Sequence, residues 1–82
     1  MLDKKQKLYL SQLGNTIKSY RNKHKISQEK LADSAGLHRT YIGMIERGEK
    51  NPSFLALISI SNALNITINE LLKEFDKWMK IS

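Results

Sequence analysis

The chain has 82 residues, a formal charge of +6 from fourteen Lys and Arg against eight Asp and Glu, and no cysteine. Such a length suits one small domain of modest stability. The composition excludes a disulfide framework or thiolate metal site, and two lone histidines do not make a zinc cage. No apolar run reaches the roughly 18–20 residues of a membrane span, and no apolar segment of a signal peptide follows Met1-Leu-Asp-Lys-Lys-Gln-Lys. The expectation is a soluble cytoplasmic protein with no membrane partner. Its charge is uneven: residues 1–50 hold eleven Lys and Arg against five Asp and Glu, whereas residues 51–82 hold three of each. That asymmetry suits a polyanion-binding face beside a neutral half open to protein contacts.

Leu10, Leu13, Ile17 and Tyr20 recur at helical spacing and predict a first helix over about residues 5–23 with one buried face. Gly14 within it weakens the helix by about 1 kcal/mol relative to Ala, which points to a close approach by another backbone. Lys4, Lys5 and Lys7 precede the apolar stripe and are expected to fray. His24-Lys25-Ile26 reads as a connector, with Ile26 plugging the core beside Leu31. Ser27 is suited to cap a second, short helix, and Glu29 to its positive end. Leu31, Ala32 and Ala35 form the narrow apolar stripe of that helix, and Gly36 can take a positive φ and turn the chain sharply. His38 is expected at the cap of a third helix, whose Ile42 and Ile45 face inward and which closes at Gly48.

Glu49-Lys-Asn-Pro52 reads as a loop. Ser53 caps a fourth helix over about 54–64, in which Phe54, Leu57, Ile58, Ile60, Ala63 and Leu64 are apolar. Asn65 ends it, and Thr67-Ile-Asn-Glu70 has the form of a capping box for a fifth helix over about 68–79. No strand-type alternation, internal repeat or linker is visible. The predicted fold is all-α with five helices in a single domain spanning residues 1–82.

Residues 28–48 thus form two short helices joined by a tight turn. Small Ala32 lets them cross closely, and a larger side chain there would hold them apart. This pattern of Ala, Gly and spaced Leu and Ile is that of a helix-turn-helix. Outward on its second helix lie Arg39, Thr40, Gly43 and Met44, with Tyr41 and Arg47 at the flanks. The planar fork of Arg39 matches guanine O6 and N7. Thr40 offers a hydroxyl and a methyl that can meet a thymine methyl. Tyr41 can bond a phosphate or brace Arg39, or simply pack; Met44 can lie on thymine methyls or turn inward. Gly43 contributes no side chain, so direct readout is expected to be sparse, with DNA shape supplying part of the specificity.

In these residues the chain resembles the Cro/CI-type (Xre-like) DNA-binding family that includes the lambdoid phage repressors, whose fold is a compact five-helix domain. Leu37-His-Arg-Thr-Tyr-Ile and Ile45-Glu-Arg-Gly-Glu-Lys-Asn-Pro-Ser53 look most like the small controller proteins of restriction–modification systems. The resemblance covers roughly residues 10–72. It implies base-reading roles for Arg39, Thr40, Gly43 and Met44, and phosphate contacts from Gln28, Lys50 and Asn51, with Lys25 and Lys23 bordering the same strand. It also implies a buried ion pair between Arg21 and Glu46, and a dimer contact near the fourth and fifth helices.

Phe75, Trp78 and Met79 are too many large apolar groups for the end of a solvated helix, and aromatics and methionine are enriched at interface cores. They are expected to form a homodimer interface; the alternative is that they fold back near Leu2 and Tyr9, and both can hold together. The implied function is a homodimeric, sequence-specific transcription regulator on a near-palindromic operator, with double-stranded DNA as partner and RNA polymerase as a further candidate. No cofactor, metal or small-molecule ligand is expected. A stand-alone phage or plasmid repressor is the alternative. An antitoxin is disfavoured, because no tail beyond about residue 80 is available to wrap a toxin. No nucleophile, metal or phosphate-loop arrangement indicates an enzyme.

Overall fold

The computed structural model describes residues 2–81. Among them lie five helices and no strand: α1 (Lys4–Lys23), α2 (Gln28–Ala35), α3 (Arg39–Glu46), α4 (Phe54–Ala63) and α5 (Ile68–Ile81). Most starts follow from a side chain within four residues of the end it caps. Ser27 Oγ accepts from Lys30 N at 3.0 Å, Ser53 Oγ accepts from Ala56 N at 3.0 Å, and Thr67 and Glu70 bond each other's backbone N–H. At α3, His38 Nδ1 accepts from Thr40 N at 3.1 Å.

The expectation of a frayed lysine run at the start of α1 is corrected. Asp3 accepts from Gln6 N at 2.8 Å and Gln6 accepts from Asp3 N at 3.2 Å, a reciprocal capping box that brings Lys4, Lys5 and Lys7 into the helix.

Gly36 turns the chain out of α2 at φ +67°, and the Leu37 N–H bonds Ala32 O at 2.9 Å, the six-to-one bond of a Schellman end. Lys25 and Asn65 take the same left-handed region without being glycine, at φ 56° and 59°.

One buried cluster draws on every helix: Ile17 from α1, Leu31 and Ala32 from α2, Ile42 and Ile45 from α3, Ile60 and Leu64 from α4 and its end, and Leu71 from α5. Ile26 packs against it from the α1–α2 connector. The helix α5 runs antiparallel to α1. Tyr20 Oη meets Glu70 O at one end, and Tyr9 meets Phe75 and Trp78 at the other. Among the described residues no single helix is long and apolar enough to cross a membrane.

The crossing of α1 over α3 is set by Gly14. A Cβ there would stand 2.6 Å from Glu46 O and closer still to Ile45 O, and backbone atoms cannot swing aside as a side chain can. Gly14→Ala is therefore expected to lower stability by about 1–3 kcal/mol through overpacking, despite the helix propensity that alanine adds. Urea unfolding checks this, and a variant more stable than the parent would show that α1 does not lie on α3 there.

Candidate nucleic-acid interface

The helix α3 buries Ile42 and Ile45 and leaves its first turn in solvent, where Arg39 and Thr40 are both exposed. Met44 is half-buried. Tyr41 is half-buried against the core, and its hydroxyl accepts from Ser53 N at 3.4 Å. Of the roles left open by the sequence, packing is therefore met, while the hydroxyl proton stays available to an acceptor.

Gly43 is not on the open face. It is buried, and a Cβ there would stand 3.1 Å from Arg47 Nη1 and 3.4 Å from Gln28 Oε1. The expectation of Gly43 as a base-contacting position is corrected on this geometry. Residues 43 and 47 lie one turn apart on the side of α3 that meets the start of α2, so the Arg47 and Gln28 side chains close over the glycine.

Behind the exposed turn lies a buried fork. Arg21 Nε donates to Glu46 Oε2 at 2.7 Å and Arg21 Nη2 donates to Glu46 Oε1 at 3.0 Å. Arg21 Nη1 donates to Ile26 O at 2.8 Å, and Gln28 Nε2 donates to Glu46 Oε1 at 3.0 Å. The Glu46 side chain is 2% exposed and that of Arg21 11%, so water does little for either charge and the fork must satisfy both. Among the described residues no buried side-chain nitrogen or oxygen lacks a partner. This arrangement unites Arg21 from α1, Gln28 from α2 and Glu46 from α3.

The remaining arginines of this face are also paired, through contacts that sequence reasoning missed. Arg39 Nη1 donates to Glu29 Oε2 at 3.2 Å across the turn, with both side chains about two-thirds exposed. Arg47 grips Glu49 with Nε and Nη2 at 2.8 and 3.2 Å. That hydrogen-bonded pairing holds the Glu49 carboxyl below the usual carboxylate range and pushes the Arg47 guanidinium up. Because both groups are exposed, the pair adds little to stability, and what it adds is lost as pH falls through the lowered Glu49 value. Lys25, Lys50 and Asn51 are exposed in the loops that precede α2 and α4, and neither lysine forms an ion pair among the described residues.

The apolar residues of α5 do not stand free. Phe75 and Trp78 meet the Tyr9 ring edge-on at centroid distances of 6.2 and 6.3 Å, and each other at 5.8 Å. This is the fold-back arrangement that the sequence left open beside a dimer contact, and it leaves Met79 38% exposed. Among the described residues the most exposed large apolar groups are instead Leu55 at 74% and Phe54 at 63%, at the start of α4. Their signal in the sequence was an α4 apolar on nearly every side.

The family model described as Helix-turn-helix matches residues 17–71. The chain is 48% identical over 60 residues to the control protein C.SmaI of Serratia marcescens, covering 73% of this chain and 71% of that protein. It is 42% identical over 65 residues to the control protein C.MunI of Mycoplasma sp, covering 78% and 88%. The crystal structure of the restriction-modification controller protein C.AhdI from Aeromonas hydrophila aligns with a TM-score of 0.75 at 37% identity, covering 76% of this chain and 94% of that one.

Removing one partner of the buried fork leaves the other charge uncompensated. Glu46→Ala is expected to lower stability by about 3–5 kcal/mol, whereas Arg39→Ala, which opens an exposed pair, should change it by less than about 1 kcal/mol. Chemical denaturation of the two variants side by side checks the contrast; equal effects would contradict it.

Proposed function

Because the chain belongs to the helix-turn-helix family of DNA-binding transcription regulators, we propose that it acts as a homodimer on a near-palindromic operator and controls a restriction–modification system. The observation that carries this reading is the first turn of α3, which exposes Arg39 and Thr40 above a buried Ile42 and Ile45. An eight-residue helix is about 12 Å long, and B-DNA offers a major groove about 12 Å wide. In that groove the Arg39 fork reads guanine, Thr40 touches a neighbouring base edge, and Met44 lies against a thymine methyl. Similarity to control proteins supports the controller role, and such a regulator acts beside the DNA in the cytoplasm. Regulation, not catalysis, is its activity, with RNA polymerase as a further partner at a bound promoter.

Phosphate contacts surround this turn. Lys25, Lys50 and Asn51 are free to approach the backbone. Gln28 gives one amide hydrogen to Glu46 and keeps a second for a phosphate. Tyr41 can donate its hydroxyl proton, and Arg47 reaches a phosphate by sharing or leaving Glu49.

Dimensions and surface chemistry support the homodimer. The described molecule measures 31 Å along its longest axis, so one copy cannot place a reading helix in two successive major grooves about 34 Å apart. Phe54 and Leu55 on α4, with Leu72 and Met79 on α5, are the apolar groups that a second copy would cover.

Selection from a random duplex library is expected to yield a two-fold symmetric sequence. Arg39→Ala should weaken binding to it by about 1–3 kcal/mol while affecting random duplex less; equal losses would make Arg39 a phosphate contact only. Leu55→Asp should shift sedimentation toward monomer and weaken binding to the symmetric sequence, with helix content retained. An unchanged dimer would place the interface elsewhere.

A further inference from the structure

We propose that Glu29 is a specificity-determining residue. Through its bond to Arg39 it favours the use of that arginine on a guanine edge over its use on a phosphate. The inference rests on the reading that α3 enters the major groove.

Glu29 is out of place on a face built only to attract DNA. The start of α2 carries free N–H groups and the positive helix end, an arrangement that attracts phosphate. Yet a carboxylate about two-thirds exposed stands there, beside an open cleft lined by Arg21, Ser27, Gln28 and Arg39. Folding gains only modestly from it: Ser27 already caps α2, and an exposed carboxylate at the positive helix end or in an ion pair adds little to stability. Among the described residues its side chain bonds only the arginine best suited to read a base.

The geometry of that bond distinguishes two uses of Arg39. Only Nη1 is engaged by Glu29 Oε2, at 3.2 Å, and Nη2 and Nε have no partner among the described residues. Guanine offers two neutral acceptors, O6 and N7, which a guanidinium can take with its remaining donors while a third still meets the carboxylate. Phosphate is an anion, and binding it with Arg39 brings it to within a few ångströms of the Glu29 carboxylate. The repulsion between like charges then acts against that contact and not against the guanine contact. Glu29 thus penalises the sequence-independent mode selectively. It also orients the guanidinium before DNA arrives, so less side-chain freedom is lost when the fork engages.

The experiment compares Glu29→Gln, Arg39→Ala and the double variant of the full chain. Binding to the sequence selected by the parent protein, and to a random duplex, is measured by fluorescence anisotropy over a range of salt. Glu29→Gln is expected to tighten random-duplex binding several-fold and to steepen its salt dependence by about one unit of log–log slope as Arg39 gains a phosphate. The selected sequence should gain less, so the ratio of the two affinities falls about three- to ten-fold. In the Arg39→Ala background the same change should shift both duplexes by one common factor and leave their ratio unaltered. A common factor for both duplexes with Arg39 present, or no change in either, would overturn the proposal while leaving α3 as the reading helix. If Arg39→Ala itself leaves the affinity ratio of the parent unaltered, the groove reading fails and the role of Glu29 falls with it.

Discussion

The arrangement of the molecule depends on the buried fork between Arg21 and Glu46. Taking two charges out of water is costly, and their attraction offsets that cost only when the hydrogen bonds are nearly complete. Here they are: two bonds join the pair, Arg21 adds Ile26 O, and Gln28 adds its amide to Glu46. Because those partners come from α1, the connector, α2 and α3, satisfying the charges fixes where all four segments meet. Gly14 acts at the same place, since only a residue without a Cβ lets α1 come down on the Ile45 and Glu46 carbonyls. The far end of α3 is thereby clamped, and its near end, capped by His38, is held out into solvent.

That clamp gives the exposed side chains a fixed platform and explains how charge is divided over it. The three arginines, Arg21 on α1 and Arg39 and Arg47 of the helix-turn-helix, all have carboxylate partners: Glu46, Glu29 and Glu49. Among the described residues Lys25 and Lys50 have none. A strongly hydrated ammonium on a flexible stem serves long-range attraction, whereas a planar fork already held in one orientation serves shape-specific contacts. In the proposed regulator the unpaired lysines supply the salt-dependent approach to DNA, and the paired arginines exchange partners once they are there.

Apolar surface is divided in a comparable way. The edge-on cluster of Tyr9, Phe75 and Trp78 joins the start of α1 to the end of α5. Phe54 and Leu55 have no such cover among the described residues. Small domains often gain stability by association, and α4 carries the exposed apolar groups through which that association would occur in the proposed homodimer.

The five helices, most of their caps, the Gly36 turn and the inward set of Ile17, Leu31, Ile42, Ile45 and Ile60 were all legible in the chain. A cap, a left-handed glycine and a 3.6-residue period are settled within a few residues of one another, so local chemistry leaves little choice. Even the close approach at Gly14 showed as an otherwise unfavourable glycine in a helix. The tertiary structure alone decided that Gly43 is covered by Arg47 and Gln28, that Phe75 and Trp78 turn to Tyr9, and that Arg39 meets Glu29. Each of those side chains had several partners of suitable chemistry, some far away in the sequence. Which one it meets depends on how the helices cross, and that is fixed only once the buried fork and the shared core have set the angles between them.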